Sequence, residues 1–479
     1  MTLELASLRP VLPEIFLLAA SCAVLVIDVF LRERNRMVTY GLSLASLVGT
    51  LWLVSVTAVD GGRVLLHGAY VRDAMGDVLK SALLLAALAS FVYAKDYLRA
   101  RGLFRGEYYV LGLFATLGML VMVSANSFLV VYLGLELLAL CLYALVAFDR
   151  DSPKGAEAAM KYFVLGAIAS GMLLYGISMI YGVTGALDFQ AVAAGVSGAG
   201  EQKLVLVFGL VFVVIGIAFK FGAVPFHMWV PDVYHGSPMV VALFLGSAPK
   251  VAAFALAMRL LVDGLGSLHA DWQGMLVILA VLSMALGNLA AIAQDNIKRM
   301  LAYSTISHVG FIFLGLLAGT EEGYTAAMFY AIVYAFMAAG AFGILAMLSR
   351  DGFEAENLHD LKGLNERSPW LAGMMLLVMF SMAGVPPTVG FFAKLFVLDA
   401  VVSVDLVWLA LVGVFFSIVG AFYYIRVVKL MYFDKPISNE PIVAGMDTRI
   451  AVSVNGLAML GLGLFPAALF AACQAAIAG

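Results

Sequence analysis

The sequence predicts an all-α polytopic membrane protein of about fourteen transmembrane helices, two of them discontinuous. Three observations carry this. Hydrophobic residues make up 63% of the chain and charged residues 12%, about half the charged share of an ordinary globular domain. A spanning helix takes about 20 apolar residues plus a short loop, so 479 residues hold about fourteen of them. Two of the apolar segments are too long for one straight crossing, and both are interrupted by Gly and Pro.

The first three spans are read over 10–31, 38–58 and 76–94. Ahead of them, Met1 to Pro10 carry Glu4 and no basic run, unlike a cleaved signal peptide, so the first span is expected to remain in the protein. Spans four to six follow over 107–124, 127–148 and 157–182. The seventh, 204–232, contains Gly222 to Pro225; proline removes a backbone donor and clashes with the preceding turn, so the helix should break there. The eighth to eleventh lie over 238–262, 273–294, 297–318 and 323–349. The twelfth, 369–401, contains Gly384-Val385-Pro386-Pro387 and should break in the same way. The last two are read over 404–425 and 449–474. Broken helices at corresponding positions of two halves are the pattern of an inverted-repeat transporter core, whose working site lies at the breaks.

Loop charge sets orientation. Most of the 28 Lys and Arg residues fall in one alternating set of loops, among them Arg32, Arg34, Arg36, Lys95, Arg99, Arg101, Arg105, Lys298, Arg299, Arg426, Lys429 and Lys435. The positive-inside rule makes those loops cytoplasmic and puts both termini on the opposite side. Cys22, Cys141 and Cys473 are far apart in apolar segments and supply neither a disulfide framework nor a cluster-ligand set. There is no Gly-rich nucleotide loop, no P-loop, no haem-type pair of His across two spans and no His/Cys metal cluster. Redox chemistry is therefore not expected on this chain. The many Phe, Trp and Met side chains read as packing or lipid-facing rather than as a quinone cage.

Lys80, Lys161, Lys220, Lys250 and Lys394 nevertheless sit in segments that otherwise read as membrane-buried helix, and Glu136 lies as deep in the run from Ser127 to Phe148. A charge at the bilayer centre costs roughly 2.5 to 3.5 kcal/mol on the insertion scale, so such groups usually face the protein interior and handle charge. Glu136 and Lys220, on spans five and seven, make a plausible ion pair. Pairing favours the charged form of both, so Lys220 would hold a proton while Glu136 is close and ionised and release it when that partner is lost. Lys250 follows Pro249 midway along the eighth span among small residues that leave room for water. Lys394 follows the second break, in Thr388-Val389-Gly390-Phe391-Phe392-Ala393-Lys394. His308 in the tenth span and His227 after the first break are candidate relay stages, because imidazole can pass a proton by its second nitrogen; both could equally be packing histidines. Glu157 and Lys161 share a helix face four residues apart, either as an entrance pair or as an interfacial salt bridge. Lys80, one turn into the third span, reads as snorkelling to the interface. Asp232 and Asp399 are expected to stay wet, and Gly166 with Ser170 reads as a close helix contact.

Lys161-Tyr162-Phe163-Val164-Leu165-Gly166, the segment from Phe219-Lys220-Phe221-Gly222 through Pro225-Phe226-His227 to Trp229-Val230-Pro231-Asp232, and the run from Gly384 to Lys394 resemble the antiporter-like subunits of respiratory complex I, over essentially the whole chain. That resemblance implies two inverted five-helix repeats, about 107–262 and 273–425, between an N-terminal three-helix segment, 1–106, and a C-terminal loop and last helix, 426–479. It implies a midplane axis on Glu136, Lys220, Lys250 and Lys394 that carries protons, coupled to quinone reduction elsewhere. It places the chain in the bacterial inner membrane beside sibling antiporter-like subunits and lipid, without nucleic acid. It leaves no cofactor on this chain, with NADH, FMN, iron–sulfur clusters and quinone on partner subunits. A subunit of a multi-subunit sodium/proton antiporter, a hydrogenase-linked relative and a purely structural membrane-arm subunit remain alternatives.

Overall fold

The computed structural model describes residues 5–437 except 60 and 199, together with 442 and 444–479, so Glu4 and the first residues of the N-terminus lie outside the described residues. Helices α1 (Leu12–Phe30), α2 (Met37–Val56) and α3 (Ala74–Ala100) open the chain. Between α2 and α3 a small antiparallel hairpin, β1 (Arg63–Leu65) with β2 (Tyr70–Arg72), sets Arg63 opposite Arg72. Helices α4 (Gly106–Ser124), α5 (Phe128–Val146) and α6 (Pro153–Thr184) follow. Asp73, Ser127 and Ser152 fix where α3, α5 and α6 begin, each accepting a backbone N–H of the first turn. A helix start leaves those donors without an intrahelical partner, and the side-chain oxygen satisfies one of them.

After the short α7 (Phe189–Ser197) the chain enters α8 (Lys203–Phe221), α9 (Trp229–Gly236), α10 (Met239–Gly246) and α11 (Ala248–Ala257), which runs on into π-helical turns over Met258–Gly264. The second half comprises α12 (His269–Ile292), α13 (Ile297–Leu317), α14 (Glu321–Leu348), the single-turn α15 (Leu364–Arg367), α16 (Pro369–Ala383), α17 (Val389–Ser403), α18 (Val407–Phe433), α19 (Met446–Leu464) and α20 (Pro466–Ala478). Twelve helices among the described residues are long and apolar enough to cross a membrane, and α19 with α20, bent by 82°, makes a thirteenth. The expected twelfth span falls on α16 and α17, 15 residues each and neither long enough to cross by itself, so the described residues give twelve to thirteen spans against the fourteen expected.

The two expected breaks close alike. At the end of α8, Gly222 takes a φ of +78° and the Ala223 amide donates to the Ala218 carbonyl at 2.8 Å. At the end of α16, Gly384 takes a φ of +85° and the Val385 amide donates to the Phe380 carbonyl at 2.9 Å. This is the glycine-closed helix ending that a side chain at the same position would strain. The seventh segment differs from the single broken helix expected over 204–232. Helix α8 is a full span of 19 residues by itself, and the chain then turns through 222–228 into the short α9. Two further interruptions lie outside the expected pattern, at Ser247 between α10 and α11 and at Phe465 ahead of Pro466.

Helices α10, α11, α13 and α14 form the buried centre. Around it, α18 presents Leu411, Phe415, Ile418 and Phe422 outward at helical spacing, an apolar stripe suited to hydrocarbon or to another subunit's helix. Cys141 and Cys473 are buried free thiols and Cys22 is an exposed one.

Candidate functional site

Glu136 on α5 and Lys220 on α8 both line a small cavity between α5, α6 and α8, with Tyr143, Tyr162, Gly166 and Ser170 in its wall. The expected ion pair is not closed, because no carboxylate oxygen of Glu136 comes within 4.0 Å of the Lys220 ammonium. Glu136 Oε1 instead accepts a short hydrogen bond from the Ser170 hydroxyl on α6, which also lies 3.1 Å from the Tyr132 hydroxyl. Ser170 is thus more than the packing contact expected of it. Gly166 does pack closely, since any side chain there would overlap the Tyr143 hydroxyl. Lys220 is buried two residues before the first break, next to the carbonyl end of α8, where a helix dipole favours positive charge.

Lys250 and Lys394 occupy equivalent chemical positions. The Lys250 ammonium donates to the Phe221 carbonyl at 2.7 Å, and the Lys394 ammonium donates to the Ala383 carbonyl at 2.8 Å. Each carbonyl belongs to the residue just before a left-handed glycine, Gly222 or Gly384, and so to the open end of a helix, α8 or α16. Such carbonyls have no partner within their own helix, and they carry the negative end of its dipole. Each lysine also faces a ring: Lys250 lies 5.6 Å from the centre of Trp229, whose indole N–H donates to the Phe219 carbonyl at 3.0 Å, and Lys394 lies 5.2 Å from the centre of Phe311. The Ser417 hydroxyl on α18 accepts a second bond from Lys394 at 2.9 Å. The two lysines reach these places by different routes, Lys250 from the neighbouring α11 and Lys394 from α17, the second half of its own broken span.

His308 is fully enclosed by hydroxyls, with Nδ1 2.7 Å from Tyr330 and Nε2 3.0 Å from Tyr424. His227 sits half-buried in the turn after the first break; its Nδ1 has no hydrogen-bond partner among the described residues, and no bond joins it to Lys220 or Lys250. Glu157 and Lys161 do pair, at 2.8 Å, on an exposed face. Lys161 is 44% exposed at its side chain, so it is not one of the buried lysines, and it binds Asp232 at 2.8 Å as well. Asp232 is not simply wet, because Arg299 also pairs with it at 2.8 Å.

Lys80 corrects the snorkelling expectation. It is fully buried, paired with Glu14 of α1 at 2.5 Å and donating to the Tyr70 hydroxyl at 3.0 Å. Beside it, buried Arg72 is tied to Asp77 and to the Pro10 and Val54 carbonyls. Sequence reasoning missed Ser170, Tyr330, Ser417 and Tyr424 as neighbours of the charged groups. Only the helical phase of each against its lysine, glutamate or histidine would have pointed to them, and that phase depends on how separate spans pack.

Lys250 and Lys394 on open carbonyls, Glu136 and His308 on hydroxyls, and buried Lys220 are groups of a kind that can hold and exchange protons inside an apolar body. Residues 125–420 match the family model described as NADH:quinone oxidoreductase/Mrp antiporter, TM. NADH-quinone oxidoreductase subunit N of Thioalkalivibrio sulfidiphilus is 60% identical over 479 residues, covering 100% of both chains. A chain of respiratory complex I from Thermus thermophilus with bound aureothin superposes with a TM-score of 0.83 at 31% identity, over 97% of this chain and 100% of that one. A chain of the Mrp complex from Dietzia sp. gives a TM-score of 0.83 at 22% identity over 100% of this chain and 97% of that one, a likeness of fold alone. The chain belongs to the NADH:quinone oxidoreductase/Mrp antiporter family, in its NADH-quinone oxidoreductase subunit N branch.

Proposed function

We propose that this chain is the antiporter-like membrane-arm subunit of a proton-translocating NADH:quinone oxidoreductase, moving protons along Glu136, Lys220, Lys250, His308 and Lys394 while quinone is reduced elsewhere in the complex. The observation that carries the reading is the docking of Lys250 and Lys394 on the open carbonyl ends of α8 and α16. An ammonium held by a helix end is stable when charged, yet a mobile lysine can leave it on losing its proton, which gives each stage two positions. The working core is two inverted repeats over 107–262 and 273–425, flanked by 1–106 and 426–479. Glu157 and Lys161, on the exposed face, act at the entrance, and His227 lies at its first break.

The chain lies in the bacterial inner membrane against sibling antiporter-like subunits and carries no redox cofactor of its own. Both termini face the periplasm. Fusions at Gly479 test that orientation: alkaline phosphatase should be active there and a fluorescent protein dark, and the reverse pattern would invert the topology. Lys250→Ala in the intact complex tests the function itself. NADH-driven acidification of inverted membrane vesicles should fall while the complex assembles normally, and unchanged acidification would reject the relay.

A further inference from the structure

We infer that the hydroxyls of Ser304, Tyr424 and Tyr330 are the proton path through His308, with Tyr424 delivering to one ring nitrogen and Tyr330 receiving from the other. The inference rests on the relay reading above and gives it named atoms on the side of the second break.

The four groups form an unbroken file across three helices. Ser304 Oγ on α13 lies 2.5 Å from the Tyr424 hydroxyl on α18, that hydroxyl lies 3.0 Å from His308 Nε2, and His308 Nδ1 lies 2.7 Å from the Tyr330 hydroxyl on α14. All four side chains are buried, none more than 4% exposed. A buried tyrosine hydroxyl usually finds one partner simply to be satisfied. One neighbour behaves that way, Tyr334, which donates to Thr305 at 2.7 Å; Tyr423 donates to Asn288 at 3.0 Å, and an amide does not hand a proton on. Around His308 the arrangement differs, because both ring nitrogens are occupied in series. A proton that enters the ring by one nitrogen and leaves by the other must pass a tyrosine on each side.

The transfer balances. In the neutral ring, Nδ1–H donates to the Tyr330 oxygen and Nε2 accepts the Tyr424 O–H. Tyr424 gives its proton to Nε2 as its oxygen takes the Ser304 hydroxyl proton, and Ser304 is refilled by water. The imidazolium then gives its Nδ1 proton to the Tyr330 oxygen, and Tyr330 releases its original proton to water on the side of Lys394. Lys394 lies against Phe311, whose ring stacks on Tyr330 with centres 6.0 Å apart. One positive charge has moved, each side chain keeps its proton count while the ring proton has passed from Nδ1 to Nε2, and rotation of the hydroxyls with a tautomer change of the ring resets the file.

The test uses the intact complex in inverted vesicles, comparing Tyr424→Phe, Tyr330→Phe, Tyr334→Phe and His308→Ala for assembly, NADH-driven acidification and solvent deuterium isotope effect. Tyr424→Phe and Tyr330→Phe should each slow coupled turnover at least about tenfold at normal assembly, since a positioned proton-transfer group contributes on that order or more. Tyr334→Phe should run at the wild-type rate with the wild-type isotope effect. Wild-type pumping by both Tyr424→Phe and Tyr330→Phe, with His308→Ala defective, would overturn the hydroxyl file and leave the relay standing. Full pumping by His308→Ala would remove that stage of the relay as well. Equal damage from Tyr334→Phe would make the effect one of packing and also overturn the file. If Tyr424→Phe does not assemble, a fluorinated tyrosine at 424 keeps the bond and acidifies the hydroxyl; a shifted rate–pH profile supports the path and an unchanged one rejects it.

Discussion

Replacing Glu136 with Gln keeps the shape of the first-break cavity and the hydrogen bond from Ser170 while removing one charge facing Lys220. The two groups are separated by more than 4.0 Å. With an effective dielectric of about 20, unit charges attract by about 4 kcal/mol at 4 Å and about 2 kcal/mol at twice that distance. The loss therefore lies below about 4 kcal/mol, and each 1.4 kcal/mol is a factor of ten in the equilibrium for charging the lysine. Assembly should be spared, because the neutral amide removes a costly membrane charge and keeps an acceptor for Ser170. Blue-native gels, quinone-reductase rates and NADH-driven acidification on the same membranes report the outcome. The expected result is normal assembly with proton pumping and coupled NADH oxidation lowered about tenfold, one step of that scale and within the upper limit. Full pumping at normal assembly would refute a role for Glu136 in setting the charge on Lys220.

Lys220→Arg should pump poorly although it keeps the charge, since guanidinium does not give up its proton; wild-type acidification would make Lys220 a fixed electrostatic post. Breaking the buried Glu14–Lys80 pair by Glu14→Gln or Lys80→Met should each cost about 3 to 5 kcal/mol and reduce the assembled complex, with much of the loss recovered in the double variant. Additive losses on blue-native gels would show that the two groups do not act as a pair. Gly384→Ala and Gly222→Ala should each lower pumping, since both impose roughly 1 to 2 kcal/mol of left-handed strain at a helix end that holds a lysine, and the new methyl meets the Lys394 side chain at 2.9 Å at 384 and Val230 at 2.5 Å at 222. Wild-type pumping by either at normal assembly would detach that helix end from the relay.

Much of the architecture was legible because each span must satisfy its own backbone and hide about 20 residues from water, which writes length and hydropathy into the chain. Glycine followed by proline marked both chain breaks, after α8 and after α16, for the same local reason. The break at Ser247 and the bend at Phe465 carried weaker marks, a single proline each at Pro249 and Pro466, which also fits an ordinary helix start. The buried lysines and Glu136 were legible as costly groups, but their partners were not. Lys80 meets Glu14 from another helix, and Glu136 meets Ser170 rather than Lys220, because partner choice depends on helix phase and packing. Lys250 and Lys394 do not correspond in sequence position, so their shared chemical place appears only once two chain ends are seen to present the same carbonyl.

The central claim is that Lys250 and Lys394 are stages of one path. Acidification of inverted vesicles during NADH oxidation, followed with a pH-sensitive dye, tests it across Lys250→Ala, Lys394→Ala and the double variant at matched assembly. Residues acting as a unit are strongly non-additive, so either single replacement should abolish most of the coupled signal and the double one should be little worse. Independent, multiplying losses would mean that the two lysines serve separate routes.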